Sequence, residues 1–540
     1  MKRICLLFIC FFSMALLFGG EWQWSVTVKG RVSKETQKPQ EAFLWIPPTC
    51  SVIKAVMVGQ QNMSEETLFE LPSFRQKMEQ LGIALIWIAP ELDQRWDVST
   101  GVQKVFDMVL SDLADVSGYD ELKRIPIIPI GHSAQATFPW NFAAWNPERT
   151  LAVVSLHGDA PRTNLTGYGR ENLEWGRTRN IDGIPGLMIE GEYEWWEERV
   201  NPALAFRMMY PKSCISFLCD TGRGHFDIAE ETADYIALFL QKALEWRYPT
   251  SYSFEKRIEL KPVDVREGWL AARWSPKEGK RPDAAPYVKY KGDSHDAFWY
   301  FDEEMARLTE ERYRKHRKKL PQYLSVTQED SLVCYNVKSH VRLSVPFRPS
   351  SDGLTFHLKP CFTDSLRKSI SNRHGEGAIC IDRICGPVKK VNDTTFVVSF
   401  YQMGMNNPRR TGSIYLLASH PGDKYYKGAV QEMEVRIPYR ITEGKRQYIL
   451  FPGINDVKRS TESILLDAVS DSNLPVSYYV KEGPARVEGN RLYFTSIPLR
   501  ARMPVKVTVV AWQYGIAGKY QTAIPVERCF YITEFKFRKC

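Results

Sequence analysis

Short apolar runs alternate with helix-length amphipathic segments between residues 22 and 248, and this alternation constrains the fold more than any other feature of the sequence. The later runs are continuously apolar, as expected of strands buried on both faces of a parallel sheet. They are IKAVMVG, IALIWIAP, IPIIPIG, LAVVSLHG, GLMIEGE and CISFLCD. Because strands that alternate with helices are joined by right-handed crossovers, the sequence predicts an α/β fold with a doubly wound, mostly parallel sheet.

The chain changes character after residue 248, and its 540 residues are too many for one hydrophobic core. The next segment is rich in Lys, Arg, Pro and Gly without sustained periodicity, which predicts a connector that ends in a charged helix. Short strand-like runs separated by turn signals then predict all-β sandwich modules. The predicted divisions are 1–20 (signal peptide), 21–248 (α/β domain), 249–321 (connector), 322–445 (β-sandwich module) and 446–540 (second β-sandwich module).

The first twenty residues have the layout of a secretory signal, since Lys2 and Arg3 precede an apolar run that ends at Gly19 and Gly20. The residues before the two glycines fit the usual small-residue cleavage pattern poorly, so an uncleaved membrane anchor stays an alternative. No later segment of the sequence is apolar and long enough to span a bilayer. We therefore expect a periplasmic, cell-surface or extracellular bacterial protein, without stable membrane insertion once the signal is removed.

Composition argues against several classes of protein. Eleven cysteines scattered over the chain do not form a disulfide scaffold, although Cys380 and Cys385 are close enough in sequence to pair. The sequence has no C-x-x-C pair and no H-E-x-x-H motif, so it offers no support for zinc, and we expect no metal and no cofactor. A formal net charge of +9 is modest for this length and does not indicate a nucleic-acid partner.

Ser133 is the candidate nucleophile. It lies in Gly131-His132-Ser133-Ala134-Gln135-Ala136, between the apolar run IPIIPI and a helix-length segment. Such a strand-turn-helix setting lifts a serine above the sheet, although the last position of the G-x-S-x-G pattern is Ala136 instead of glycine. A serine hydroxyl is a weak nucleophile, so it needs a general base, a group that orients the base, and donors for the developing oxyanion.

His225 is the candidate general base, because Gly222-Arg223-Gly224-His225-Phe226 follows the run CISFLCD and precedes the last helix-length segment of the first domain. Two glycines permit a sharp loop there, and Asp227 is well placed to cap the helix. His132 and His157 are alternatives. His132 adjoins the serine and points away from it in the expected turn, and His157 ends the run LAVVSLHG, where it fits a pocket lining better.

With these motifs, the first domain resembles the α/β-hydrolase superfamily of serine ester hydrolases. In that family an apolar strand, a glycine and an acidic residue three positions later provide the carboxylate that orients the histidine. The stretch GLMIEGEYE matches this pattern, and the resemblance implies Glu194 for the role, with Glu192 and Glu190 as competitors. The order Ser133, Glu194, His225 along the chain is the family's order of serine, acid and histidine.

The same resemblance implies an oxyanion hole built from two backbone N–H groups. One is the N–H of Ala134, directly after the nucleophile. The other belongs to the loop after IKAVMVG, where Gly59 allows a close turn and Gln60 is the preferred donor, with Gln61 next. A polar surface loop explains this stretch equally well.

The segment between LAVVSLHG and GLMIEGE bears on the substrate, because this fold usually carries its lid there. Only about 24 residues separate HGD from GIPG, so we expect an open site that admits a polymer or a bulky conjugate. Arginines in the segment could pair with carboxylates, and aromatic rings could stack on sugars. The candidate substrate-binding residues are His132, Arg162, Arg170, Trp175 and Trp195.

Near the end of the chain, SDSNLPVSYYVKEGPARVEGNRLYFTSIPLRARMPVKVTVVAWQYG resembles the bacterial immunoglobulin-like modules of secreted and cell-surface proteins. Together with the serine site and the export signal, it favours a carbohydrate esterase that removes acyl or methyl ester groups from an extracellular polysaccharide or acylated glycan. The alternatives are a serine peptidase of the same fold and a catalytically silent glycan-binding or adhesion protein.

Overall fold

The structure is a computed structural model that describes residues 21–162, 172–277, 279–339, 341–405 and 407–534. The predicted signal peptide and the candidate substrate-binding residue Arg170 lie outside the described residues. In the described part of the chain, no helix is both long and apolar enough to cross a membrane.

The first domain is built on one eight-stranded mixed sheet. Its strands are β1 (Trp24–Thr27), β2 (Glu41–Trp45), β3 (Ala55–Gln60), β4 (Ile83–Ala89), β5 (Ile127–His132), β6 (Val153–Leu156), β7 (Pro185–Gly191) and β8 (Cys214–Asp220). Their order across the sheet is β1-β2-β4-β3-β5-β6-β7-β8. The pairs β1–β2 and β2–β4 are antiparallel and all other neighbours are parallel, so the sheet is consistent with that of an α/β-hydrolase.

Helices cover both faces of this sheet, as the continuously apolar runs predict. They are α1 (Met63–Glu70), α2 (Pro72–Leu81), α3 (Val102–Ser117), α4 (Thr137–Trp145), α5 (Glu197–Met209) and α6 (Glu230–Arg247). Successive strand residues enter opposite cores. Met57 packs in the core that includes α6, and Val56 packs in the core that includes α3. Burial of both strand faces favours this arrangement by about 25 cal/mol per Å² of apolar surface removed from water.

The connector packs onto the first domain and shares its core. It forms β9 (Trp269–Ala272), β10 (Ala285–Pro286) and β11 (Ala297–Tyr300) in the order β10-β9-β11, followed by α7 (Glu303–Lys315). Phe298 stacks on Phe217 of β8 with ring centroids 4.8 Å apart. The Tyr300 hydroxyl donates to the Phe217 carbonyl at 2.6 Å. The connector therefore extends the α/β domain beyond β8.

Residues 322–445, here called the middle module, form three small sheets around one core. The strands are β12 (Tyr323–Gln328), β13 (Ser331–Leu332), β14 (Leu343–Pro346), β15 (Thr355–His357), β16 (Lys359–Thr363), β17 (Cys380–Cys385), β18 (Val388–Asn392), β19 (Thr395–Val398), β20 (Ser413–His420) and β21 (Ala429–Arg436). The sheet orders are β14-β21-β20-β17, β15-β19-β18 and β13-β12-β16. Cys380 is exposed and Cys385 is buried, and both are free thiols, so the suggested pairing is wrong.

Residues 446–534, here called the last module, have an apolar core of their own and also add Tyr479 and Trp512 to the core of the middle module. The strands are β22 (Ile449–Leu450), β23 (Val457–Lys458), β24 (Ser463–Leu465), β25 (Val469–Ser470), β26 (Ser477–Glu482), β27 (Ala485–Glu488), β28 (Arg491–Phe494), β29 (Val505–Trp512) and β30 (Val526–Thr533). The larger sheets are β23-β30-β29-β26 and β24-β28-β27, with Val507 and Leu492 buried between them. Both modules are consistent with β-sandwiches.

Candidate active site

The candidate nucleophile lies where β5 turns into a helix. Ser133 follows the last residue of β5 and has a φ of 52°, in the left-handed region that non-glycine residues rarely adopt. The turn is tight, because a Cβ at Gly131 would overlap the carbonyl oxygen of Gln135. The alanine at position 136 fits because Gly158 faces it, and a Cβ at Gly158 would overlap the Ala136 methyl group. The sequence therefore stores local strain at Ser133.

Ser133, His225 and Glu194 come together at one edge of the sheet. The Ser133 Oγ lies 2.9 Å from Nε2 of His225. The Nδ1 of the same ring donates to the Glu194 carboxylate, which also accepts the Gly191 N–H at 3.2 Å. Burial lowers the pKa of His225, so its ring is neutral near neutral pH and able to accept a proton. Burial alone would raise the pKa of Glu194, but His157 and His225 hold it well below its usual range.

The two competing acids have other partners. The Glu190 carboxylate is buried and accepts from Arg199 at 3.1 Å. Glu192 pairs with Lys427 of the middle module at 2.6 Å. Burial would raise the pKa of Glu192, but its interactions with His316 and Lys427 lower it to about 2. Of the three acids, only Glu194 hydrogen-bonds His225 among the described contacts.

His157 contacts Glu194 instead of lining a pocket, so the expectation for this residue was wrong. It is the first residue after β6, and its Nδ1 donates to the second oxygen of the Glu194 carboxylate. Burial lowers the pKa of His157, but the charge and hydrogen bond of Glu194 raise it to about 9. The ligand atoms of His157, Glu194 and His225 lie within 4.8 Å of one another, close enough to hold a metal ion. Direct N–H···O contacts already join them.

His132 is a structural residue, and its assignment to substrate binding was wrong. The side chain is fully buried. Its backbone N–H donates to Glu65 at 2.6 Å, and its ring Nε2–H donates to the His225 carbonyl at 2.7 Å. Burial keeps the pKa of His132 well below its ordinary value, so the ring is neutral. His132 therefore holds the loop that carries His225 against β5, the strand that leads to Ser133.

A cavity of about 750 Å³ opens over Ser133, and two parts of the chain line it. The first domain contributes Gln61, Asn62, Met63, Ala134 and Phe226. The middle module contributes Tyr401, Arg409, Arg410, Tyr415, Arg436 and Tyr439, among others. The short lid segment predicts an open site, whereas in the structure the middle module supplies a wall of this cavity. This contact joins residues far apart in the sequence.

Ala134 borders the cavity as expected of an oxyanion donor, whereas Gln60 does not. The Gln60 carboxamide is buried and accepts the N–H groups of Leu92 and Asp93 at 2.7 and 2.9 Å. The N–H of Gln61 donates to a carbonyl of β4. The preference for Gln60 was wrong because β3 extends through this residue. After β3, the chain lines the cavity with Gln61, Asn62 and Met63.

The three other described candidates for substrate binding lie outside the cavity lining. Trp175 is fully buried, and its indole N–H donates to Asn141 at 2.7 Å. The Arg162 guanidinium lies over the Trp175 ring, 5.9 Å from its centroid. Trp195 packs edge-on against Trp274 with ring centroids 4.5 Å apart. These aromatic and cationic side chains therefore pack against other side chains of the protein and do not line the cavity over Ser133.

The middle module also contacts the loops that carry Glu194 and His225. The carboxyl of half-buried Glu432 interacts with the backbone N–H of His225, and burial raises its pKa to about 7. The Tyr193 hydroxyl donates to the Gly428 carbonyl. A Cβ at Gly224 would overlap a carboxylate oxygen of Glu432. The second glycine of the G-x-G-H-F stretch therefore packs closely against a different module.

Comparison with known proteins found no matching family model and no matching curated protein. Solved structures match the first domain. An esterase of the hyperthermophilic archaeon Pyrobaculum calidifontis is 14% identical over 41% of this chain and 85% of that chain, with a TM-score of 0.30. A fluorophosphonate-binding serine hydrolase of Staphylococcus aureus is 13% identical over 42% and 99%, with a TM-score of 0.29. An S-formylglutathione hydrolase of Agrobacterium tumefaciens is 13% identical over 42% and 95%, with a TM-score of 0.28.

At these identities and TM-scores the matches carry no argument about activity, so the assignment of a reaction depends on this chain's own geometry. The chain has a mixed sheet covered by helices. At the carboxyl ends of its parallel strands, Ser133 contacts His225 and His225 contacts Glu194.

Proposed function

We propose that the chain is an exported serine ester hydrolase that removes acyl or methyl ester groups from an extracellular polysaccharide. The observation that carries this proposal is the 2.9 Å contact between Ser133 Oγ and His225 Nε2, with Glu194 on the opposite nitrogen of the same ring. A serine in this setting has the base and the orienting carboxylate that nucleophilic catalysis requires.

In the proposed reaction, the Ser133 oxygen attacks the ester carbonyl while His225 takes the hydroxyl proton. The N–H of Ala134 and an N–H at the start of α1, near Asn62, stabilise the oxyanion of the tetrahedral intermediate. His225 returns the proton to the departing alcohol, which leaves an acyl-enzyme. Water, activated by the same ring, then releases the acid. Glu194 keeps the Nδ1–H tautomer of His225 throughout and stabilises the imidazolium.

The polysaccharide substrate, export and the immunoglobulin-like character of the last module are part of the same proposal. They are supported by the leader-like first residues, by the strand pattern near the end of the chain and by the size of the composite cavity. The pattern of the last module favours an extracellular setting. No metal, cofactor or nucleic acid takes part in the proposed reaction.

The test is hydrolysis by the protein without its leader. Release of acetate and methanol from a panel of plant and host polysaccharides is measured beside hydrolysis of a generic aryl ester, for the wild type and Ser133→Ala. We expect aryl ester hydrolysis and one of the two products, both lost in the variant. Aryl ester hydrolysis without either product would refute the polysaccharide ester assignment, and peptide substrates would then test the peptidase alternative. If the folded wild-type protein hydrolyses none of these substrates, the result favours the alternative of a catalytically silent glycan-binding or adhesion protein.

A further inference from the structure

The wall that the middle module presents to Ser133 is rich in arginine. Two of its three guanidinium groups already have carboxylate partners. Arg410 pairs with Glu35 at 2.7 Å, and Arg436 lies 3.6 Å from Glu434. Arg409 is different, because among the described residues no carboxylate oxygen lies within 4.0 Å of its guanidinium. Its side chain is exposed.

Arg409 is held at the cavity by contacts of its turn with the first domain. Its backbone N–H donates to the Asn407 side chain at 3.0 Å, and that side chain donates to Glu35 at 2.6 Å. The neighbouring Arg410 pairs with the same Glu35. The turn is thus fixed at both ends to a loop of the first domain, while the Arg409 guanidinium makes no ion pair within 4.0 Å among the described residues and interacts with Glu91 only at longer range.

Arg409 also borders a second cavity, of about 280 Å³, which shares Ala134 with the larger one. The smaller cavity is lined by four cationic and three acidic side chains, namely Arg31, Lys34, Arg95, Arg409, Glu35, Glu91 and Asp93. Arg409 therefore lies between two spaces that meet at the proposed oxyanion donor.

We propose that Arg409 binds an anionic group of the substrate, so that the ester cleaved at Ser133 carries a carboxylate close to the scissile bond. A planar guanidinium matches a carboxylate through two parallel hydrogen bonds. An acidic sugar next to the esterified position would meet this requirement. This inference depends on the proposed ester hydrolysis and adds the charge of the substrate to it.

The test compares matched pairs of neutral and charged esters. One pair places the charge on the acyl side, para-nitrophenyl butyrate against para-nitrophenyl hemisuccinate. The other places it on the alcohol side, phenyl acetate against para-acetoxybenzoate. The readout is the ratio of kcat/KM for the charged ester to that for its neutral partner, in the wild type, Arg409→Gln and Arg409→Glu. Arg348→Gln is the control, because Arg348 is an exposed arginine of the same module that pairs with Glu329 outside the cavity lining.

In at least one pair, we expect the wild type to prefer the charged ester. That ratio should fall about tenfold or more in Arg409→Gln, as for loss of a charge-assisted hydrogen bond. Arg409→Glu should lower it further, and Arg348→Gln should keep the wild-type ratio. Equal ratios in the wild type and Arg409→Gln, or no preference in either pair, would overturn the inference while leaving ester hydrolysis intact. If none of the four esters is hydrolysed, the proposed function fails and this inference fails with it.

Discussion

The substitution Gly224→Ala tests whether the middle module positions the general base. An alanine Cβ would overlap the Glu432 carboxylate oxygen and lie 3.4 Å from a methyl group of Val430. To regain a van der Waals separation of about 3.5 Å, the carboxylate must retreat by about 1 Å, which changes its position relative to the His225 N–H. Because the carboxylate is the free end of a flexible side chain, we take the low end of the usual overpacking cost, about 1 kcal/mol, and if His225 bears that cost in the transition state kcat/KM falls roughly 5-fold. The loss should be mainly in kcat, because His225 acts in the chemical step.

A double-mutant cycle with Glu432→Ala separates this effect from a general defect. If Gly224→Ala acts through Glu432, removing the carboxylate relieves the overlap, and the double variant loses no more activity than Glu432→Ala alone. Gly453→Ala is the matched control, since no atom lies within 4 Å of a Cβ built there, and it should keep wild-type kinetics. Losses that multiply in the double variant, or a wild-type kcat in Gly224→Ala, would refute the idea that Glu432 positions His225.

Two further predictions concern titrating groups. His157 carries a proton near neutral pH and its charge lowers the pKa of His225, so His157→Gln should raise that pKa and move the acid limb of the kcat/KM profile to higher pH. An unshifted limb, or one moved to lower pH, would contradict this. Burial raises the pKa of Glu65 from 4.5 to about 8. Between these two pH values the folded protein keeps a proton on Glu65 that the unfolded chain has lost. The unfolding free energy of the wild type should therefore fall relative to that of Glu65→Gln between about pH 5 and about pH 8, as measured by denaturant unfolding. An identical pH dependence in both proteins would count against it.

The parts of the site that follow a strand end could be predicted from the sequence. Ser133 directly follows a buried apolar run, Glu194 and His225 follow theirs within a few residues, and parallel strands bring the ends of such runs to one edge of a sheet. Local sequence therefore indicated both the sheet and the meeting point of these three side chains. The alternation of runs and helices likewise indicated the order of elements in the first domain.

The contacts of side chains in the loops beyond the strand ends could not be predicted in the same way. Trp175 and Trp195 are residues of the type that binds sugar rings. Apolar surface is more stable when buried, however, and both side chains pack against other parts of the protein. His157 contacts Glu194 because β6 and β7 are neighbours in the sheet, which requires the strand order.

The contribution of the middle module was hidden for a similar reason. Arg409 and Glu432 reach the site through packing between modules, and no local pattern of residues records such a contact. The sequence shows only that position 224 is glycine; the structure adds that its φ is not positive and that a Cβ there would overlap Glu432.

The most direct test of the central claim is the site of covalent modification by a fluorophosphonate, which reacts with a serine only where a neighbouring base activates it. The protein without its leader is labelled, digested and analysed by mass spectrometry, beside Ser133→Ala and His225→Gln. The geometry predicts one adduct, on the peptide that contains Ser133, absent from Ser133→Ala and formed much more slowly in His225→Gln. Folded wild-type protein that stays unlabelled, or an adduct on another serine, would contradict the assignment of Ser133 as the nucleophile.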